Sequence, residues 1–208
     1  MVGQGVLREC LLDPEVRDLL VVGRTPTGQR HPKLRELVRP DLFDLSPVRD
    51  ELAGYDACFF CLGVSSAGMS EETYRRVTYE LTMAVARSMV ERNRGMTFIY
   101  VSGQGTDSSE RGRMMWARVK GETENALLGL PLNAYMFRPG FIQPMHGVRS
   151  KTTLYRMLYA VSAPLYPVLK RLAPKHVTSS EQVGRAMIAV ARTGAPKRLL
   201  ETSDINAL

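Results

Sequence analysis

Three cysteines, three histidines and a single tryptophan are all that the 208 residues hold of these types. Three cysteines cannot build a paired framework, which excludes a disulfide-stapled scaffold and points to a reducing, cytoplasmic setting. His31, His146 and His176 stand far apart and match no metal-ligand spacing. Cys58-Phe59-Phe60-Cys61 has the C-x-x-C spacing without a second pair. Residues three apart on a strand face opposite sides, so two core cysteines are expected there and no metal centre. The chain also lacks a secretory signal at its start, a phosphate-binding P-loop, a nucleophile elbow, internal repeats and low-complexity tracts.

Charge of one sign is in modest excess: 28 Lys and Arg against 21 Asp and Glu give +7. The basic residues are scattered in short groups, such as Arg75-Arg76, Lys170-Arg171 and Lys197-Arg198, with no stripe interleaved with aromatics. Nucleic acid is therefore not an expected partner, whereas a phosphorylated cofactor suits the balance. At 44% hydrophobic, the chain can bury the core of one ordinary domain spanning residues 1–208.

Strand-like and helix-like stretches alternate, the signature of an α/β fold with a parallel sheet. Apolar runs closed by Gly or Pro occur at Asp18–Gly23, Asp56–Gly63, Met96–Gly103 and Asn133–Phe137, and suit strands buried on both faces. Helices are expected over Gly5–Leu12, Pro47–Leu52 with Ser46 as cap, from Ser70 to just before Gly95, Met114–Leu128 and Ser180–Ala191. Lys151 to Pro174 is greasy, but Arg156, Pro164, Pro167 and Lys170-Arg171 interrupt it, and a membrane span needs about 20 nearly unbroken apolar residues. It reads as part of a kinked helical cap, 141–180, over the substrate side or against a second subunit in a homodimer. Contact with a membrane surface is the alternative.

An open parallel sheet presents its site where the strands end. Gly23-Arg24-Thr25 follows the first strand, and an arginine there favours a ribose 2′-phosphate, hence NADP over NAD; a solvated loop arginine is the plain alternative. Asp41-Leu42 follows the next strand, where the carboxylate either meets an adenine edge or, like that of Asp44, caps a turn. Ser102-Gly103-Gln104-Gly105 ends the third long run. Trp116 and Lys120 form an i, i+4 pair on the following helix and so can face one cleft.

Taken in order, Val22-Gly23-Arg24, Asp41-Leu42, Cys61-Leu62-Gly63, Val101-Ser102-Gly103, the Trp116/Lys120 pair and Arg138-Pro139-Gly140 resemble the short-chain dehydrogenase/reductase superfamily. The resemblance is to its atypical, NAD(P)-binding epimerase/dehydratase-like branch, and covers essentially the whole chain. It implies a Rossmann-like, doubly wound sheet and a dinucleotide cofactor. Arg24 would meet the 2′-phosphate and Asp41 the adenine. Cys61-Leu62-Gly63 would line the adenosine ribose and pyrophosphate, Lys120 would hold the nicotinamide ribose, and Pro139-Gly140 would lie along the nicotinamide. Ser102 matches the serine that hydrogen-bonds the reacting carbonyl.

Two departures stand out. The catalytic tyrosine of that family, four residues before the lysine, is Trp116 here, and an indole N–H donates a hydrogen bond without releasing a proton near neutral pH. Tyr100 and Tyr155 are the candidate substitutes. The opening, Met1-Val2-Gly3-Gln4-Gly5, looks like the tail of a glycine loop in which Gly3 is the last glycine, without the strand and the two glycines that come before it. The chain is therefore expected to be a fragment or to start at an internal methionine, leaving two strands with unpaired edges. The expected function is NADP(H) binding with oxidoreductase or epimerase-type chemistry on a small carbonyl or sugar-like substrate. A non-catalytic NADPH sensor or scaffold is the alternative that Trp116 favours.

Overall fold

The computed structural model describes residues 1–148, 166 and 171–208. Most of the greasy Lys151–Pro174 segment, and with it most of the expected cap, lies outside the described residues. Helix α1 (Val2–Leu12) leads into two parallel strands, β1 (Leu19–Gly23) and β2 (Leu34–Val38), and a 3-10 helix over Ser46–Leu52. Strand β3 (Ala57–Phe60) follows. Next, α2 (Glu71–Arg75) runs through one π-helical turn (Arg76–Glu80) into α3 (Leu81–Arg92). Strand β4 (Thr97–Val101), α4 (Met115–Leu128) and β5 (Asn133–Arg138) come next, then the short β6 (Phe141–Gln143) and β7 (Val177–Ser179). Helix α5 (Ser180–Thr193), β8 (Leu199–Glu201) and α6 (Thr202–Ala207) close the chain.

All strand pairs are parallel, as continuous apolar runs require. Strands β3, β4, β5 and β8 form one sheet in that order, while β1 pairs with β2 in another. Alternation along the strands feeds two cores. Phe98, Tyr100, Ala134 and Met136 face the layer of the 3-10 helix, α3 and α4. Ile99, Tyr135 and Phe137 face the layer of α1, α5 and α6. Helices therefore cover both faces, and the architecture is the doubly wound, Rossmann-like one.

The break between the two sheets falls between β1 and β3. Leu20 and Val22 of β1 share one core with Cys58 and Phe60 of β3, while Leu19 shares the other with Phe59 and Cys61. The same two layers thus cover both strands, yet among the described residues no backbone hydrogen bond joins them. In a parallel ladder alternate residues bond to each side. Leu19 donates to Lys33 and Gly23 accepts from Arg39, so β1 turns Leu20 and Val22 toward the slot. Asp56 accepts from Thr97, so β3 turns Ala57 and Phe59 toward it.

Several local expectations are corrected. Helix α1 begins at Val2, ahead of Gly5. Ser46 does not cap the 3-10 helix; its own N–H is held by Asp44 Oδ1 at 2.9 Å, and Leu45 stands at the cap. Ser70 does cap α2, its Oγ accepting from the Thr73 N–H at 3.2 Å. The π turn adds a residue to the helix and rotates its buried stripe, so Thr78 and Thr82 are buried where Val77 and Leu81 are only partly so. Cys58 and Cys61 lie in opposite cores, as their spacing requires, and burial pushes both thiols up to about 12.

Candidate functional site at the strand ends

The apolar strands of the second sheet stop in register, and the segments leaving their C-terminal ends gather at one edge. There a cleft of about 470 Å³ opens between Val64, Ser65 and Ser66 after β3, the start of α1 at Met1, and side chains of two helices. Tyr74 of α2 and Trp116 and Lys120 of α4 line it as well. One helical turn separates Trp116 from Lys120, which is why both reach the same space. The outer rim of the indole lies over Gly105, where an added Cβ would meet the ring at 3.4 Å.

Lys120 donates to the backbone carbonyl of Ser102, which ties the end of β4 to α4. The Ser102 hydroxyl is buried and donates to the Phe137 carbonyl at 3.2 Å, so it is engaged across the β4–β5 ladder. One turn beyond Lys120, the fully buried Glu124 accepts two hydrogen bonds from Arg138, one from Nε at 3.0 Å. Arg138 also reaches Ser108 Oγ at 2.5 Å and lies 3.6 Å from Glu201. Burial pushes the Lys120 ammonium down to about 8, against a smaller opposing pull from Glu124.

The third strand end carries Pro139-Gly140. The Pro139 carbonyl accepts from the Gln104 N–H at 2.9 Å, and the Gly140 N–H donates to Thr202 Oγ1 at 2.8 Å. A Cβ on Gly140 would sit 2.4 Å from the His176 carbonyl oxygen, so only glycine fits where this strand end passes β7. Gln104 and His176 meet through their side chains at 2.8 Å, so the loop after β4 and the turn before β7 are joined.

The adenosine-side candidates lie apart from the cleft wall. Arg24 and Arg39 come directly after the last register pair of β1 and β2, Gly23 opposite Val38, and so stand side by side. Arg24 is exposed, and the Nε of Arg39 is buried with no hydrogen-bond partner among the described residues. Asp41 Oδ1 accepts from the Phe43 N–H at 2.8 Å, capping a turn, and the Leu42 side chain is buried in the core. After β3, Cys61 is half-buried against α1, where a Cβ on Gly3 would meet its Cβ at 3.3 Å. Leu62 and Gly63 are exposed.

Sequence reasoning overlooked Tyr74, Val64, Ser65 and Ser66 at the cleft. Val64, Ser65 and Ser66 come directly after Gly63, which was the available signal; Tyr74 lies within the long helical stretch expected from Ser70, and nothing in its spacing set it apart. Of the substitutes for the missing tyrosine, Tyr100 is buried in the core against Phe60, with its hydroxyl pushed far up by burial and bonded to Thr123. Tyr155 lies outside the described residues. Among the described residues no cluster of three or more His, Cys, Asp or Glu could hold a metal ion, and no helix is long and apolar enough to cross a membrane.

No family model and no curated protein matches the sequence. Solved structures do match over nearly the whole chain. The Bordetella bronchiseptica enzyme WbmF in complex with NAD+ is 15% identical, with a TM-score of 0.65 over 99% of this chain and 73% of its own. DesIV, a dTDP-glucose 4,6-dehydratase from Streptomyces venezuelae with NAD and TYD bound, is 14% identical, with a TM-score of 0.61 over 96% of this chain and 70% of its own. A glucuronic acid dehydrogenase from Chromohalobacter salexigens is 11% identical, with a TM-score of 0.61 over 96% and 71%. This chain therefore has the Rossmann-like, doubly wound α/β fold that these structures share.

Proposed function

We propose that the chain binds NADP(H) across the strand ends and carries oxidoreductase or epimerase-type chemistry on a small carbonyl or sugar-like substrate. The observation that carries this reading is the convergence of Trp116 and Lys120 on one cleft at the C-terminal edge of a parallel sheet, with Lys120 fastened to the end of β4. The orphaned Nε of Arg39 beside Arg24 fits a phosphate oxygen and supports NADP at the adenosine end. The N-terminus of α1 at the cleft supports a pyrophosphate, since helix N-termini favour anions. The NAD+ and UDP found together in a second WbmF structure support a nucleotide-linked substrate class.

When bound, the nicotinamide would give or take the hydride. The chain's own part is to orient: Lys120 toward the ribose, Pro139-Gly140 along the ring, and Trp116 excluding water from one side. Trp116 favours a second reading, a sensor or scaffold that reads NADPH without turnover, because an indole supplies no proton.

The test is the melting temperature with saturating NADPH and, separately, NADH. A ligand at a hundredfold excess over its Kd stabilises the folded state by about 2.7 kcal/mol. A rise with NADPH and a smaller one with NADH is expected. A rise with NADH alone would overturn the choice of cofactor, and no rise with either would overturn the binding reading.

A further inference from the structure

Lys120 is a cation without a carboxylate of its own. The nearest candidate on its helix face, Glu124, is held by two nitrogens of Arg138, and no carboxylate lies within ion-pairing distance of Lys120 among the described residues. The other groups around it are Tyr74 on α2, whose phenol is pushed up by burial and stays neutral, and the Met1 amino group at the cleft's edge. The Ser102 carbonyl is its one hydrogen-bond acceptor among the described residues. The lining is mixed: the indole of Trp116, the Tyr74 ring, Val64 and Met1 stand with Ser65 and Ser66 around the same space. A lysine desolvated in this way is a free-amine nucleophile in waiting, and the space before it admits a small molecule.

We propose that Lys120 is a carbonyl-capturing amine, condensing with a small aldehyde or ketone in the cleft to form a Schiff base. The amine nitrogen adds to the carbonyl carbon and the π pair moves to oxygen. The proton lost from nitrogen passes to that oxygen, giving a carbinolamine. Protonation of its hydroxyl releases one water as the C=N bond forms, and hydrolysis reverses the sequence. No electron is gained or lost, so no oxidant or reductant takes part. The capture uses the same amine that the proposed function turns toward the ribose, so it belongs to the cleft without dinucleotide, and the labelling test below, run without cofactor, is decided separately from that reading.

The deeper consequence concerns Arg138. By holding Glu124, it denies Lys120 the counter-ion that would keep the amine protonated. Burial then outweighs the weaker pull that Glu124 still exerts, and the amine titrates near 8, well below an exposed lysine.

The experiment treats the full chain with butanal and sodium cyanoborohydride at pH 6 to 10. Peptide mass mapping then tracks the alkylation rate of each amine. Exposed Lys197, which lies 2.8 Å from Asp204, and Lys175 serve as internal references, and mapping separates the Met1 amine from Lys120. At pH 7 the free-amine fraction of a lysine titrating near 8 exceeds that of an ordinary one by on the order of a hundredfold, so alkylation of Lys120 at least about tenfold faster than of Lys197 is expected. Its rate should level off above pH 9 while the references keep rising. Equal or slower labelling of Lys120 at pH 7, or a rate still climbing at pH 10, overturns the proposal. Loss of the fast site in Lys120→Arg, with the Met1 rate unchanged, supports it, and persistence of that site overturns it.

Discussion

Gly5 of α1 and Ser180 at the start of α5 approach so closely that a Cβ on Gly5 would lie 2.7 Å from the Ser180 Cβ and 2.8 Å from its carbonyl oxygen. This contact locks the two helices that cover one face of the sheet, with Gly184 in similar contact with Glu9 one turn along. Gly5→Ala must push the helices apart against backbone, and overpacking of this kind costs about 1–3 kcal/mol. At this chain length the expected fall in Tm is about 2–4 °C per kcal/mol. An unchanged or higher Tm, measured by calorimetry, would show that α1 can shift freely over α5.

The slot between β1 and β3 makes a prediction for hydrogen exchange. Val21 and Gly23 bond into the β1–β2 ladder, and Cys58 and Phe60 into β3–β4. The amides of Leu20, Val22 and Phe59 face the slot without a ladder partner, and exchange depends on the opening of the bond that protects each amide. These three amides should exchange at least about tenfold faster than their sequence neighbours. Matched protection along each strand, read by NMR, would mean that the two edges are paired in solution.

How far the sequence revealed all this depends on what each feature rests on. Strand β4 was readable because Thr97–Val101 is an unbroken apolar run closed by Gly103, which burial on both faces requires. Strands β6 and β7 were not, because three residues acquire strand character only from a partner, here one more than thirty residues away. The π turn left no trace, since spacings of three and four residues read alike whether or not a residue is inserted. Arg39 escaped notice as a partner of Arg24 because only the parallel register brings them side by side.

Lys120 should leave a mark on stability as well as reactivity. Its folded pKa is depressed to about 8 from the ordinary 10.5. Below pH 8 both folded and unfolded chains hold the proton, and the burial cost is present in full. Between 8 and 10.5 only the unfolded chain holds it, so this group's contribution rises with pH. Lys120→Met removes that dependence. The stability of the parent minus that of the variant should therefore rise by about 1–3 kcal/mol between pH 7.5 and 10, measured by urea unfolding. A flat or falling difference would mean that the amine is solvated in the folded state.

The last prediction separates turnover from sensing. Trp116 stands one turn before Lys120 on the cleft wall, where a phenol could take the charge of the neighbouring ammonium as a reason to ionise and an indole cannot. Trp116→Tyr is smaller, so it opens the cleft beside Gly105 without creating a clash. A positioned acid–base group is worth about 10²–10⁴ in rate. With NADPH and a panel of small aldehydes and ketones, an otherwise assembled site should gain at least about a hundredfold in turnover on this one change. In this reducing direction the new phenol gives a proton to the carbonyl oxygen, so the pH profile of that gain should fall off on the alkaline side as the phenol is deprotonated. No gain, with NADPH affinity intact, would assign the chain to the sensing class and make the indole a deliberate block rather than a lost catalyst.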